Sequence, residues 1–352
     1  MKNVSIYFIG RKQGIGFRRY RLSHLENRRK YEYEGFQDAY KKIRQVRLIQ
    51  NADVVWVRVR PEHTKDYERI IIEKRLKAVR GKVPIINDIN IFDNYDCKNL
   101  SFDIWGENNI QCPNHITISI NNFINNFSNM VKSINEFIEK NHKIFLRTNN
   151  ETSANGMVFL TVSSTEKEIK KAVNMLIDRC QTFLPNRKST KIMGVEYISP
   201  DDENKFQDIY RVHILFNKVI SFYAVTSKNI IFHNIDMIEP DIERFIKLNK
   251  DLCEKMPELE QYILKSAHSL GCNLGAVEFF IKNKKPILLE LNPMWGGHAS
   301  KHGFGNTKFR NYLKENRSYL EKEIPNVYKF IDRRLYYKNL YETISYHVLN
   351  KR

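Results

Sequence analysis

The sequence predicts a mixed fold, α/β in its first part and α+β in the rest. Residues 1–95 alternate strand-like and helix-like segments with short connections, which is typical of a parallel sheet flanked by helices. Residues 143–292 are dominated by short strand-like segments separated by turns, which is typical of antiparallel sheets. A chain of 352 residues is long enough for two or three structural units.

Five segments predict the first unit. Strands are expected at 4–10, 53–59 and 83–88, and helical periodicity fills 34–52 and 62–80, the second of these ending at Gly81. The segment "GRKQGIG" that follows the first strand lacks the G-x-G-x-x-G spacing. A dinucleotide-binding unit is therefore not expected.

Beyond residue 95 the pattern predicts further units of helices and antiparallel strands. A hairpin is expected over 274–292 around "KNKK", and a basic, Tyr-rich helical segment runs from 307. Strands at 143–148 and 157–163 flank a polar loop, and four more are expected to form an antiparallel meander over 192–234. Helices are expected at 96–107, 121–140, 165–181 and 240–270, the last broken at Pro257 and ended by Gly271.

The net charge of +18 is concentrated at the two ends of the chain. Residues 1–50 hold 13 basic and 4 acidic residues, a net +9, and residues 307–352 hold 11 basic and 5 acidic residues, a net +6. We expect an acidic partner near the termini, either an acidic carboxylate substrate or an anionic polymer. A solvated basic surface explains the same charges equally well.

The five cysteines are scattered and form no C-x-x-C pair, so we expect reduced thiols, no zinc site and a cytoplasmic location. No apolar stretch approaches the length of a membrane helix, and the first residues are expected to form a strand rather than a secretory signal.

A candidate metal site lies on the hairpin. Side chains two apart on a strand share a face, so Glu290 and Asn292 project together, and pairing across "KNKK" would place Glu278 near Glu290. Two carboxylates and an amide oxygen suit Mg²⁺. The alternative is that each Glu lies at an exposed strand end near a lysine of "KNKK".

The chain resembles the ATP-grasp superfamily over about residues 83–298, most specifically at this hairpin. An acid on one strand is followed on the next strand by "ELN", as in that family. The segments "DIYRVHILFNKVISFYAV", "GVEYIS" and "KIFLRTNNETSANGMVFL" are similar to its arginine-bearing hairpin, its adenine-contacting hinge and its phosphate-covering loop. The resemblance is nearest to the carboxylate–amine ligases of the ribosomal-protein glutamate ligase and glutathione synthetase kind.

The resemblance implies a small parallel α/β domain at 1–95, two α+β subdomains at 96–190 and 191–306 that clasp ATP, and a helical basic extension at 307–352. It also implies residue roles. ATP would contact Lys98, Arg147, Glu196, Tyr197, Ile198 and Asp202 (or Asp201), and Mg²⁺, with Mn²⁺ as a substitute, would bind Glu278, Glu290 and Asn292. Arg211 would contact the transferring phosphate or the acyl phosphate.

Alternatives stay open for several of these residues. Lys98 would also fit as a solvated lysine at a helix start, Arg211 as a cross-strand ion-pair residue, and Glu196 as a strand-edge acid. Three features depart from the family pattern: Arg147 replaces a lysine, Glu278 replaces an aspartate, and the covering loop has one glycine.

The expected activity is an ATP-dependent ligation of a carboxylate to an amine through an acyl phosphate. Arg58 and Arg60 share a face at the end of a strand and would bind a substrate carboxylate or phosphate, unless they are ordinary edge arginines. Next to the metal ligands, Gly296 and Gly297 would let a backbone approach the reacting centre, and Trp295 and His298 would contact the acceptor amine. His298 would assist proton removal or make a plain polar contact. The alternatives are an ATP-grasp phosphotransferase and a basic nucleic-acid-binding protein. Oligomerisation is left open.

Overall fold

The first sheet is parallel and is formed by β1 (Val4–Gly10), β2 (Ile43–Gln45), β3 (Val54–Arg58) and β4 (Ile85–Ile86), in the order β2-β1-β3-β4. The computed structural model describes residues 4–10, 43–59, 64–120, 123–151, 156–201, 206–231, 241–293 and 307–350. Consecutive residues along β1 and β3 are buried, from Val4 to Ile9 and from Val54 to Val57, because the centre of this sheet is covered on both faces, whereas Arg44 in the edge strand β2 is exposed.

The helix predicted over 34–52 is wrong at its described end. Residues 43–45 form β2, which pairs in parallel with β1 from Val4↔Ile43 onward, and a 3-10 turn follows at Ile49–Asn51. Apolar residues at helical spacing over such a short run also fit a short strand, and the pairing partner decides between them. The next helix, α1 (Asp66–Leu76), lies inside the predicted 62–80.

The second sheet is antiparallel and has two helices packed on one face. Its strands are β5 (His115–Ile118), β6 (Lys143–Thr148), β7 (Val158–Thr161) and β8 (Ile192–Glu196), in the order β5-β8-β6-β7. A connecting segment, α2 (Phe92–Asp96) and α3 (Lys98–Glu107), precedes the sheet, and α4 (Phe123–Asn141) and α5 (Glu166–Phe183) cover it. Alternation along β6 buries Ile144, Leu146 and Thr148 against the helices and turns Lys143, Phe145 and Arg147 to the opposite face.

The third sheet carries the candidate site. Its strands are β9 (Gln207–Leu215), β10 (Lys218–Ser227), β11 (Leu274–Lys282) and β12 (Lys285–Asn292), in the order β10-β9-β11-β12. The meander predicted over 192–234 is therefore wrong in part. Of the four strands expected there, only β9 and β10 are neighbours in this sheet, whereas β8 pairs within the second sheet and the described residues 228–231 form bends. A strand-like sequence pattern predicts that a strand forms, but it does not predict which sheet that strand joins.

The long helix α6 (Ile242–Ser269) runs through Pro257 without a break, contrary to the expectation from the sequence. Buried side chains on both sides of the proline, including Leu252, Met256, Ile263 and Leu264, hold the helix against the core. This packing offsets the roughly 3 kcal/mol that an interior proline costs a helix.

The C-terminal segment forms four helices that cover the third sheet. They are α7 (Thr307–Glu315), α8 (Arg317–Glu323), α9 (Pro325–Ile331) and α10 (Arg333–Asn350).

Three buried or half-buried asparagines, on α6, α9 and α10, bind the outer side of the edge strand β10. Asn339 donates to the Ile220 carbonyl (3.4 Å), Asn326 donates to the Phe222 carbonyl (3.2 Å), and Asn249 binds both the N–H (2.9 Å) and the carbonyl (3.0 Å) of Ala224.

None of the five cysteines is paired in a disulfide, and Cys97, Cys180 and Cys272 are buried. None of the helices in the described part of the chain is long and apolar enough to cross a membrane. The division of the chain at residues 95, 190 and 306 stays a prediction.

Candidate functional site

A row of four side chains crosses the third sheet. Tyr223 on β10 pairs with Arg211 on β9, Arg211 pairs with Glu278 on β11, and Glu278 pairs with Glu290 on β12. The row thus brings two carboxylates and a guanidinium from three adjacent strands onto one face.

The β11–β12 turn sets this pairing. Asn283 and Lys284 both have positive φ, +50° and +63°, which is the backbone of a two-residue hairpin turn. Counting back from Lys282↔Lys285, the strands reach Glu278↔Glu290 after a β-bulge that leaves one extra residue on β12.

Both candidate metal-binding carboxylates are paired with buried cations. Arg211 is bonded to Glu278, and Lys98 Nζ lies 2.9 Å from Glu290 Oε1. The Asn292 amide lies 3.3 Å from Glu278 Oε1. Neither carboxylate stands at an exposed strand end beside "KNKK", and Arg211 makes the cross-strand ion pair that was its alternative interpretation.

Burial and charge act in opposite directions within this group. Burial lowers the pKa of Lys98, and the carboxylate of Glu290 opposes the shift. Burial disfavours the ionised form of Glu290, but the positive charges of Lys98 and Arg147 outweigh it and hold the Glu290 pKa below its usual range. Lys98 is 6% exposed, so it is not a solvated lysine.

The first residues of the polar loop between β6 and β7, Asn149 to Glu151, are buried. Glu151 is 7% exposed, and its carboxylate accepts from Thr148 Oγ1 (2.8 Å) and binds Arg179 Nε (2.9 Å) together with a second Arg179 nitrogen. Its backbone carbonyl accepts from Arg147 Nη2 (2.6 Å) and Lys98 Nζ (3.3 Å). Glu151 therefore connects α5 to the two cations that were expected to bind phosphates.

Gly156, at the other end of the loop, makes room for this contact. A Cβ on Gly156 would lie 2.6 Å from Arg179 Nε and 2.9 Å from Glu151 Oε2, and the residue has a φ of +67°. Sequence reasoning missed Glu151 and Arg179. The short run Thr148–Glu151 contains no apolar residue, so nothing local indicated burial.

The residues expected to contact adenine, from Glu196 to Ile198, lie beside an aromatic cluster on the face of the second sheet that the helices leave uncovered. The Tyr197 ring packs edge-on against Phe145 (5.7 Å between centroids) and Phe159 (5.3 Å), and its hydroxyl is bonded to Gln207. Ile198 is buried. Glu196 and Asp201 are held locally: Glu196 accepts from the Asn114 N–H (3.0 Å) and Asp201 from the Asn283 N–H (2.9 Å).

The remaining residues expected at the site fall into two groups. Arg58 makes no described contact with the Lys98–Glu290 and Arg211–Glu278 pairs, and the others lie outside the described residues. Arg58 ends β3 with its guanidinium 5.0 Å from the Trp56 ring centroid. Arg60, Asp202, Trp295, Gly296, Gly297 and His298 lie outside the described residues.

The oxygens on the sheet fit a hard divalent cation. Glu278 and Glu290 face each other across the hairpin, and Asn292 projects on the same side with its amide beside Glu278. Reversing the Asn292 amide would point its oxygen inward, and N and O of an amide exchange places by a simple flip. Mg²⁺ would find three oxygen ligands here once Lys98 and Arg211 turned to other anions.

A second group of potential ligands consists of Asp93, Asp96 and Cys97, and its carboxylates, like Glu278 and Glu290, are paired with cations. Arg69 binds Asp93 through two hydrogen bonds of 2.8 and 2.9 Å, and Arg187 is paired with Asp96. Burial raises the pKa of the Cys97 thiol to about 11, which disfavours the thiolate that a metal needs.

The sequence matches no protein-family model and no curated protein, but solved structures share its architecture. The chain is similar to D-alanyl-alanine synthetase A from Vibrio cholerae O1 biovar eltor strain N16961, with a TM-score of 0.54 and 13% identity over 94% of this chain and 99% of that one. It is similar to D-alanine–D-alanine ligase from Bacillus anthracis in complex with ATP, with a TM-score of 0.50 and 12% identity over 96% and 98%. The ATP-grasp ligase PsnB in complex with a minimal precursor gives a TM-score of 0.50 and 10% identity over 90% and 99%. The chain therefore has the ATP-grasp fold that the resemblance in its sequence implied.

Proposed function

We propose that this protein is an ATP-dependent ligase that joins a carboxylate to an amine through an acyl phosphate and releases ADP and phosphate. The observation that carries the proposal is the row Arg211–Glu278–Glu290, completed by Asn292 and by Lys98. The solved structures with the same fold support it, because they are named as D-alanine–D-alanine ligase and as an ATP-grasp ligase, and one was determined with ATP.

The cations of the site would bind the nucleotide phosphates. ATP carries about four negative charges at neutral pH, and the buried Lys98 and the half-buried Arg147 already converge on one carbonyl, that of Glu151. Mg²⁺ held by Glu278, Glu290 and Asn292 would supply charge neutralisation at the phosphate oxygens. Lys98 would then exchange Glu290 for a phosphate oxygen, so its positive charge stays paired throughout.

Arg211 would serve the reacting group. A carboxylate oxygen of the first substrate attacks the γ-phosphorus and ADP leaves. The amine of the second substrate then attacks the acyl carbon and phosphate leaves. Arg211 is 7% exposed and lies beside Glu278, so its guanidinium is positioned to stabilise the negative charge of both steps without reorganisation by water.

The base and the substrates would lie on either side of this centre. Tyr197, with Phe145 and Phe159, offers an aromatic surface for adenine, and Glu196, Ile198 and Asp202 are proposed to line the base and the ribose. Arg58 and Arg60 are proposed to hold the acid, and Trp295, Gly296, Gly297 and His298 the amine. The basic ends of the chain favour an acidic first substrate.

The direct test is ADP release by the purified chain against a panel of carboxylates and amines, with Glu290→Gln and, as a matched control, Glu258→Gln on the exposed face of α6. We expect Mg-dependent ADP release with an amide product, lost in Glu290→Gln and retained in Glu258→Gln. Wild-type turnover in Glu290→Gln would overturn the assignment. ADP with a stable phosphorylated product and no amide would make the protein a phosphotransferase. Salt-sensitive RNA binding that survives Glu290→Gln, without turnover, would make it a nucleic-acid-binding protein.

A further inference from the structure

A buried asparagine joins the parallel sheet to the hairpin that carries the site. Asn87 follows β4 directly, is 2% exposed and has a φ of +54°. Asparagine is among the few non-glycine residues that adopt this left-handed conformation readily. Its backbone therefore leaves the sheet in a direction that few other side chains would permit.

The single amide of Asn87 contacts both strands of the hairpin. Nδ2 donates to the Leu274 carbonyl (2.7 Å) at the start of β11 and to the Pro293 carbonyl (3.4 Å) just after β12. Oδ1 accepts from the N–H groups of Leu274 (3.1 Å) and Asn273 (3.3 Å) and from the Cys272 thiol (3.3 Å). Both its donor and its acceptor capacity are thus used on the hairpin ends.

The side chain of Asn273 in turn forms hydrogen bonds with the end of β4. Its Oδ1 accepts from the Asn87 N–H (2.9 Å), and its Nδ2 donates to the Ile85 carbonyl in β4 (2.8 Å). The Asn273 carbonyl also accepts from the Phe216 N–H (2.6 Å) at the β9–β10 turn. The two asparagines form a reciprocal clamp between the end of β4 and the start of β11.

The clamp lies immediately beside the proposed metal ligands. Pro293 follows Asn292, and Glu278 lies four residues beyond Leu274 on the strand that the clamp begins. The same edge of the parallel sheet carries Arg58, because β3 and β4 run side by side in one direction. Asn87 therefore connects the edge proposed to hold the acid with the strands proposed to hold the metal.

We infer that Asn87 is a positioning residue, which aligns the Glu290-x-Asn292 ligands with the substrate-holding edge of the first domain. The inference rests on the proposed function of the hairpin. A residue that only stabilised the fold would lower the melting temperature without altering metal affinity. Replacing a positioning residue would also weaken the metal site, because partners that orient ligands typically contribute about 10- to 100-fold in metal affinity or activity.

The test compares Asn87→Asp with Asn249→Asp. Both changes replace a buried amide NH₂ with an oxygen that faces backbone carbonyls, at Leu274 and Pro293 in the first case and at Ala224 and Phe245 in the second. We measure the melting temperature, the affinity of Mn²⁺ in the presence of ADP by electron paramagnetic resonance, and kcat separately from the KM for ATP.

We expect both variants to melt at lower temperature, and only Asn87→Asp to lose about 10-fold in Mn²⁺ affinity and at least that much in kcat, with a smaller change in the KM for ATP. Equal Mn²⁺ affinity and kcat in Asn87→Asp and wild type would overturn the inference. Should Asn87→Asp not fold, Asn87→Gly keeps the positive φ without the repulsion and is judged by the same criteria. A wild type that binds Mn²⁺ through Glu290 but turns over no ATP would refute the proposed function and leave the positioning role intact.

Discussion

Replacing Lys98 with methionine and Glu290 with glutamine, singly and together, should measure the ion pair at the centre of the site. The two side chains are 8% and 25% exposed, and their charged atoms are 2.9 Å apart. At an effective dielectric constant of about 20, the attraction is about 6 kcal/mol at this distance, and solvent at the partly exposed Glu290 side chain, together with the other positive charges on Glu290, screens most of it. We expect a coupling energy of about 2 kcal/mol.

The single variants should differ in cost. Glu290→Gln leaves the buried Lys98 without its nearest counter-charge and should lower the free energy of unfolding by about 3 kcal/mol. Lys98→Met leaves Glu290 with the charges of Arg147 and Arg211 and should cost about 2 kcal/mol. The double variant should then cost about 3 kcal/mol, no more than Glu290→Gln alone.

Urea unfolding of the four proteins without nucleotide gives the coupling energy directly. The matched control is the exposed pair of Lys170 and Glu166 on α5, whose charged atoms are 2.6 Å apart with the side chains 48% and 65% exposed. This pair should couple by no more than about 0.5 kcal/mol. A coupling between Lys98 and Glu290 as small as that of the surface pair would refute the reasoning.

Three further outcomes are expected. Arg211→Ala should lower turnover by about 10²–10³-fold and nucleotide affinity much less; equal losses in the two quantities would make Arg211 a ground-state binder only. Arg179→Leu should release Glu151 and raise the KM for ATP by about tenfold, and a fall in kcat with an unchanged KM would contradict the role given to the loop. His213 is fully buried, and burial holds its pKa well below 6.5, so below that pH the unfolded chain binds a proton that the folded chain does not. Stability should therefore fall as the pH drops from about 7 to 5, by up to about 1.4 kcal/mol per pH unit, and His213→Gln should flatten this dependence; parallel pH profiles of the two proteins would contradict it.

The hairpin could be predicted from the sequence because everything that fixes it is local. The residues Asn283 and Lys284 form a tight turn, and the turn sets a register that brings Glu278 within one residue of Glu290. The β-bulge on β12 that places the two directly opposite each other was not predicted. The cations that pair with these two carboxylates were harder to predict from the sequence. Lys98 is separated from Glu290 by most of the second and third sheets, and a lysine at a helix start carries no local sign that it is buried.

The contacts that hold the loop and the hairpin ends could not have been predicted. Glu151 and Arg179 meet across 28 positions, and Asn87 and Asn273 across 186. Polar residues in short connections look solvated in a sequence, since burial there depends on which distant element packs over them. The same reason explains why β2 was taken for part of a helix: its strand state is decided by pairing with β1.

The asparagines along β10 have a consequence for how this protein meets others. An edge strand normally exposes a row of free backbone groups that can accept a strand from another molecule. Here Asn339, Asn326 and Asn249 occupy those groups at three alternate positions, from three different helices. Side-chain amides thus take the place of a fifth strand. Any association through this side of the sheet must first displace them, so we expect partners to be recognised elsewhere on the surface.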